Sequence, residues 1–443
     1  MKELKNSTCC KSKFEDLLCN ARGNFIYNGA VIAKQSVVLN AKKLAACLQP
    51  GEIISNSLNN CPEWWIVTLA AMLAGATVVV YPNEKNKHQI ISDNQAYSVT
   101  KAFFTDTDVQ SFISSSDALL GDFPCNGRVV LFTSGTQAVP KGVVIEMYNY
   151  VPNVIATQGR LHMDLHCVDV GLAPYSHAMG FLYGSCDFFF GGDFVICTNP
   201  LEFTNYIISG KPNIACMQPV YLESMIRLDK FVSAVCSMRY VLVGGAPMGK
   251  YAYDFYCKRG AKIVNAYGMT ECVAGIAITD AISNNNQDGS LDVMESSVIE
   301  ICSDGEIIVS GPTVCERYLD GSSIASKDGW YHTHDVGYIQ DGLLYVTGRK
   351  DNVIICENGY KISLESIDDK LTKLDGIDAC VTDYVDKCLV VEVVTQLKMQ
   401  QLHNLVDAAL EYYEKPFKLK IVQNIEVHNG KKQRKYRANT ANN

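Results

Sequence analysis

Residues 129–144 read VVLFTSGTQAVPKGVV: four apolar residues empty into a loop of small hydroxyl and glycine residues that closes on Pro140-Lys141-Gly142. The apolar run has the length and composition of a buried strand. Thr133, Ser134, Gly135 and Thr136 are the residue types whose backbone N–H and side-chain O–H groups converge on phosphate oxygens, and Lys141 adds a compact positive charge. No Gly-Lys pair in the chain is followed by Ser or Thr, so this is not a Walker A loop. An ordinary strand-to-helix connection draws on the same residues, and the loop alone leaves both readings open.

The flanking sequence repeats the alternation of buried strand and helix. Residues 62–73 (PEWWIVTLAAML) have helical length, with a proline at the start and Gly75 just past the end, and residues 77–81 (TVVVY) read as a buried strand. Similar runs stand at 193–197, 240–243 and 262–265. Strands separated by helix-length segments predict an α/β chain with mostly parallel, covered sheets. Residues 289–346 change character, with short β-type pieces between Asp-Gly turns at Asp288, Asp304, Asp320, Asp328 and Asp341, which predicts a β-rich end to the large domain.

Four polar residues, Arg349-Lys350-Asp351-Asn352, then separate two apolar strands and fit a hinge. Beyond them come a strand over 353–356, a helix over 364–374, a strand over 388–394 and an amphipathic helix over 399–413. The organisation expected is a large multi-subdomain N-terminal domain at 1–348, a hinge at 349–352 and a small mobile α+β domain at 353–443.

Composition narrows the function classes. Hydrophobic residues are 48% of the 443 and charged residues 19%, enough to bury a sizeable core. Lys and Arg number 39 against 47 Asp and Glu, a net charge of −8 with no long basic stripe before the last thirty residues. That argues against nucleic acid as a partner. The most apolar stretch, 66–81, is interrupted and short for a bilayer, and the N-terminus lacks the apolar core of a secretory signal, so a cytoplasmic protein without a membrane partner is expected. The 18 cysteines are scattered without any Cys-x-x-Cys, which reads as small buried hydrophobes kept reduced.

With these features in place, the loop resembles the phosphate loop of the adenylate-forming, AMP-binding superfamily: acyl- and aryl-CoA synthetases, nonribosomal-peptide adenylation domains and luciferase. Thr133, Ser134, Gly135, Thr136, Pro140, Lys141 and Gly142 match its T-S-G-T-T-G-x-P-K-G pattern. Gln137 and Ala138 depart from it, and Ala138 lacks the backbone freedom of the usual glycine.

Further segments match in family order. Asn265-Ala266-Tyr267-Gly268-Met269-Thr270-Glu271 resembles the Y-G-x-T-E element, which implies Tyr267 as an adenine platform, Thr270 as a phosphate contact and Glu271 as a Mg²⁺ ligand. Residues 329–335 and Gly348-Arg349-Lys350-Asp351 resemble W-Y-x-T-G-D and G-R-x-D, implying Asp335 and Arg349 as ribose contacts and Asp351 as the hinge residue. His334 stands where the family has glycine. His332, His334 and Asp335 also raise a metal cluster, but alternation on a strand turns His332 and His334 to one face without a third partner there.

Asn429-Gly430-Lys431-Lys432-Gln433-Arg434 resembles N-G-K-x-D-R, with Gln433 in place of Asp, and puts Lys431 in the catalytic position. A carboxylate about 3.5 Å from a phosphate oxygen is repelled by roughly 5 kcal/mol at an effective dielectric of 20, and a bridging cation lowers that cost. Standing alone, this stretch reads more readily as a solvated basic tail, and it is the other segments in family order that reverse the preference.

For the acid, Ala173-Pro174-Tyr175-Ser176-His177-Ala178-Met179-Gly180 resembles the P-x-x-H-x-x-G wall of the acyl pocket, with His177 as its gate. Relatives that activate α-amino acids carry Asp where Ala178 stands, and a buried ammonium without a partner is heavily penalised. Gly244-Gly245-Ala246-Pro247 resembles the G-G-A-x turn against which adenine and acyl group pack, and Met269 and Cys272 complete soft apolar walls. The resemblance implies ATP-dependent activation of an aryl or acyl carboxylic acid as acyl-AMP, with ATP and Mg²⁺ required. Transfer follows to the thiol of coenzyme A or of a phosphopantetheine arm on a separate carrier protein. An amino-acid-activating domain and a non-catalytic nucleotide or acyl-adenylate binder are the alternatives.

Overall fold

The computed structural model describes residues 7–82, 85–114, 121–133, 140–282, 289–355, 361–385, 388–410, 414–416, 418–428 and 431–432. The helix at Pro62–Ala74 begins on its proline and ends on Gly75, which takes a left-handed φ of 75° and returns its N–H to the Ala71 carbonyl. Nearly all of it is buried, Trp64 and Trp65 completely, as befits a helix apolar on every side. The Trp65 ring packs against Tyr175 and Phe181, with centroids 5.2 and 6.2 Å away. That core helix thus supports the segment carrying His177.

Two mostly parallel sheets form the body, as the alternating runs predict. The larger has eight strands, ordered Ala277–Ile278, Ile263–Tyr267, Tyr240–Gly244, Ile214–Met217, Val168–Gly171, Asp193–Ile196, Asn24–Tyr27 and Ala30–Ala33. Only the two edge pairings are antiparallel. The strand Val168–Gly171 lies between Asp193–Ile196 and Ile214–Met217, so successive crossovers leave it in opposite directions. Open α/β sheets bind ligands outside the carboxyl ends of strands at such a switch point. The chain leaving this strand is the one that carries Ala173 to Gly180.

The second sheet is ordered Lys101–Phe103, Ile53–Asn56, Thr77–Val80, Arg128–Phe132 and Gly142–Glu146, parallel except for its last pair. Here the loop at 133–141 returns the chain into an antiparallel strand, with Phe132 opposite Gly142, instead of opening a helix. A third, five-stranded antiparallel sheet contains Glu306–Ser310, Tyr331–Gln340 and Leu343–Arg349 and is the predicted β-rich end. Asp341 and Gly342 both have positive φ, 53° and 80°, forming the two-residue hairpin turn between its last two long strands.

After Arg349 a single 3-10 turn, Lys350–Asn352, leads to the strand Val353–Ile355. The residues beyond build their own core, in which Ile354, Ile362, Ile367, Leu371, Val391, Val393, Leu402 and Val406 pack together apart from the main cluster. The predicted helices there run Leu364–Thr372 and Met399–Ala409. The small unit touches the large one where Asp369 Oδ1 accepts the Lys250 N–H at 2.7 Å and Asp378 pairs with Arg227. Among the described residues no helix is long and apolar enough to cross a membrane.

Candidate active site

At the carboxyl end of Ile263–Tyr267 the chain makes a turn that only glycine permits. A Cβ on Gly268 would stand 1.5 Å from the Ala274 carbonyl oxygen. This close approach folds residues 267–275 back on themselves, with Ala274 N–H on the Met269 carbonyl and Ile276 N–H on the Tyr267 carbonyl. Tyr267 donates its hydroxyl proton to Asp335 Oδ2 at 2.8 Å, while Arg349 Nη1 lies 3.2 Å from Asp335 Oδ1. Burial and the adjacent Asp335 charge push the Tyr267 phenol well above its ordinary pKa, so it remains a donor. Asp335 is itself buried.

The turn at 267–275 meets the segment 315–318 at Glu271. Its carbonyl accepts the Cys315 N–H at 2.9 Å, and its Oε1 accepts the Tyr318 hydroxyl at 3.2 Å. Lys141 Nζ stands 4.8 Å from the centre of the Tyr318 ring. The feet of the phosphate-loop candidate are fixed: Thr133 N–H donates to the Lys141 carbonyl at 2.9 Å and Lys141 N–H to Thr133 Oγ1 at 3.1 Å. Ser134, Gly135, Thr136, Gln137 and Ala138 lie outside the described residues. Tyr331 lies within electrostatic reach of Glu271, Tyr318 and Asp335. Tyr331 is the tyrosine of the W-Y-x-T-G-D resemblance, which gave it no role, and Tyr318 was not singled out from sequence, its local signal being a tyrosine two residues before the Asp320-Gly321 turn.

On the opposite side, His177 precedes the helix Ala178–Phe190 as its N-cap, and His177, Ala178 and Met179 are half-buried. Gly245 has a left-handed φ of 80°, and a Cβ there would stand 3.3 Å from Met179 Sδ. The Gly244-Gly245 turn and the His177 wall therefore face each other, with Ala246 leading away. Asn265 is tied to the Gly289 carbonyl by its amide at 3.2 Å, and Thr270 is buried in the 3-10 turn Thr270–Cys272. Met269 is half-buried beside them.

Cys272 departs from expectation. It is wholly buried in the main core, and its carbonyl accepts bonds from Asn153 Nδ2 at 3.0 Å and Thr313 Oγ1 at 2.7 Å. It presents no surface to a substrate here. The histidine pair also differs from its reading: the third partner exists and is Glu306, whose carboxylate oxygens lie 3.4 Å from His332 Nδ1 and 3.8 Å from His334 Nδ1. Lys350 Nζ already bonds that carboxylate at 3.0 Å, together with Asp304 at 2.6 Å, so the place beside the two rings is taken by an ammonium. His334 has a φ of 59°, the left-handed conformation for which glycine is the usual occupant. Its side chain points to solvent, 59% exposed, which removes the bulk expected beside Asp335.

Lys431 lies in the short hairpin strand Lys431–Lys432, its backbone opposite His428. The side chains of Lys431 and Asp351, like Gln433, lie outside the described residues. A cavity of about 630 Å³ opens elsewhere, at the seam with the small unit, lined by Arg227, Asp229, Tyr251, Phe255, Arg259 and Asp375. It contains none of the residues that the sequence singles out.

For Mg²⁺ the donor set is a single carboxylate. No cluster of three His, Cys, Asp or Glu side chains capable of holding a metal occurs among the described residues. Glu271, half-buried and held through one oxygen, fits an ion that takes its other ligands from phosphates and water.

A family model described as AMP-binding enzyme matches residues 124–319. The medium-chain fatty-acid–CoA ligase of Escherichia coli (strain K12) is 27% identical over 362 residues, 77% of this chain and 60% of that protein. The 2-succinylbenzoate–CoA ligase of Listeria monocytogenes is 26% identical over 311 residues, 67% of this chain and 64% of that one. The chain thus spans about three fifths of the length of these relatives. Among solved structures, ATP-bound MatB from Rhodopseudomonas palustris superposes with a TM-score of 0.81 at 17% identity, covering 96% of each chain. The o-succinylbenzoate-CoA synthetase of Bacillus subtilis with its acyl-adenylate intermediate gives 0.79 at 19%, covering 94% of this chain and 96% of that one. The fold is that of these proteins.

Proposed function

We propose that this chain, whose residues 124–319 match a family model described as AMP-binding enzyme, is an acid–thiol ligase. It activates an aryl or acyl carboxylic acid as acyl-AMP with release of pyrophosphate, then transfers the acyl group to a thiol. The observation that carries this reading is the convergence of Tyr267, Glu271, Asp335, Arg349, Tyr318 and Lys141 at the strand ends. Residues separated in sequence supply a base platform, a ribose acceptor, a metal carboxylate and a phosphate cation.

In this reading Asp335 and Arg349 orient the ribose, Tyr267 backs the adenine, and Thr133 with Lys141 and the loop between them receives the polyphosphate. Thr270 adds a phosphate contact. Mg²⁺ bound with the nucleotide at Glu271 supplies neutralising charge at the phosphates. The acid enters between His177, Ala178 and Met179 on one side and Gly244 and Gly245 on the other. A carboxylate is already ionised near neutral pH and attacks without a general base. Lys431 bridges the two anions, and the unit at 353–443 rotates about Asp351 to admit the thiol. Coenzyme A is the favoured acceptor, because the relatives above are named as CoA ligases. The lack of a carboxylate at Ala178 disfavours α-amino acids. A cytoplasmic setting accords with the described cysteines, none of which is joined in a disulfide.

The test is carboxylate-dependent exchange of pyrophosphate into ATP over panels of aryl, acyl and amino acids, followed by mass detection of thioester with each thiol. Exchange with an aryl or acyl acid is expected. Exchange with amino acids alone, or with none while ATP still binds, would refute the reading.

A further inference from the structure

The backbone around residues 315–319 connects two parts of the site that belong to different sheets. At one end Cys315 N–H bonds the Glu271 carbonyl at 2.9 Å; at the other Leu319 N–H bonds the Gly142 carbonyl at 2.7 Å. Val144 N–H reaches the Arg317 carbonyl at 3.2 Å, and Tyr318 pairs with Val143 in an antiparallel bridge. A Cβ on Gly142 would stand 3.2 Å from Leu319 Cβ, so the two segments meet at close range. The side chain of Tyr318 spans the same junction: hydroxyl to Glu271 Oε1 at 3.2 Å, ring face to Lys141 Nζ at 4.8 Å.

We propose that Tyr318 is a positioning residue that sets the Glu271 carboxylate and the Lys141 ammonium in register for one Mg²⁺–nucleotide; the inference rests on the function proposed above. The phenol consumes one acceptor position of Glu271 and leaves the other oxygen to a metal. The ring attracts the ammonium without using any of its three N–H donors, which remain for phosphate oxygens. Asp320, which also feels the Lys141 charge, sits on the exposed side and offers the ammonium only a solvated alternative.

A tyrosine that merely fills space would make neither contact directional, and the two variants separate these roles. Tyr318→Phe keeps the ring over Lys141 and loses the bond to Glu271; Tyr318→Leu loses both. Binding of ATP is measured by calorimetry across a MgCl₂ series and again in EDTA, with thermal midpoints for each protein. For Tyr318→Phe the Mg²⁺ concentration that half-saturates the gain in ATP affinity should rise about fivefold or more, with EDTA affinity within about twofold of wild type. Tyr318→Leu should in addition weaken ATP binding in EDTA by roughly threefold or more. A Mg²⁺ dependence in folded Tyr318→Phe equal to that of wild type overturns the assignment to Glu271. Unchanged EDTA affinity in folded Tyr318→Leu overturns the assignment to Lys141. Wild-type protein that binds no ATP under any condition refutes the proposed function itself, and this inference with it.

Discussion

Tyr267 and Asp335 are 68 residues apart in the chain, yet the tyrosine hydroxyl lies 2.8 Å from the aspartate oxygen. The bond joins the strand end of a parallel sheet to the antiparallel sheet behind it. In the function proposed, Asp335 is thereby held in place before a nucleotide arrives, which would lower the ordering cost of binding a ribose. Tyr267→Phe removes a donor to a buried carboxylate, an interaction of about 1.5–3 kcal/mol. The KM for ATP should rise about tenfold or more while that for the acid stays near wild type, as steady-state kinetics in each substrate will show.

Gly268→Ala places a methyl group where the Ala274 carbonyl oxygen already stands, 1.5 Å away. Residues 267–275 must then shift, carrying Tyr267 and Glu271 with them. Overpacking of this kind costs about 1–3 kcal/mol of stability. We expect a lower thermal midpoint together with loss of nearly all pyrophosphate exchange. A folded Gly268→Ala protein with full exchange would separate this turn from the site.

Lys34 and Asp187 are both wholly buried, with Nζ 2.9 Å from Oδ2 and a further bond from Nζ to the Asp187 carbonyl at 2.7 Å. The pair ties the helix Lys34–Ala45 to the end of the helix that begins beside His177. Removing one partner strands a buried charge, so Lys34→Met should destabilise by about 3–5 kcal/mol in urea unfolding. Lys34→Met with Asp187→Leu should recover a large part of that loss. If the double variant is as unstable as the single one, the loss comes from packing and not from the stranded charge.

Asp169 is fully buried, and burial followed by the neighbouring Asp187 charge pushes its pKa up to about 8. The folded protein therefore holds a proton that the unfolded chain releases near pH 4. Its contribution is whole below that value and declines as pH rises toward 8, by at most about 1.4 kcal/mol per unit. Asp169→Asn should consequently gain on wild type as pH is raised. Urea midpoints at pH 5 and pH 7.5 check the sign; an advantage that shrinks with pH would show the carboxyl to be ionised in the fold.

Local chemistry made much of this architecture readable. Proline and glycine delimit Pro62–Ala74, and Asp341-Gly342 marks a hairpin whose positive φ values only a few residue types accept. What escaped was non-local. Apolar runs do not reveal strand direction, so the return from Lys141 into Gly142–Glu146 was indistinguishable from the start of a helix. Glu306 meets His332 and Lys350 only because three successive antiparallel strands bring their ends together, and Tyr318 reaches Glu271 across 47 residues. Cys272 read as pocket wall from its place in a motif, whereas Asn153 and Thr313, distant in sequence, draw it into the core.

The most direct test of the central claim is a crystal structure with a non-hydrolysable ATP analogue and Mg²⁺. The account predicts ribose hydroxyls at Asp335, adenine against Tyr267, the metal at Glu271 and phosphates beside Lys141. Nucleotide lodged instead in the seam cavity near Arg227 and Arg259, with Tyr267 and Asp335 untouched, would contradict it.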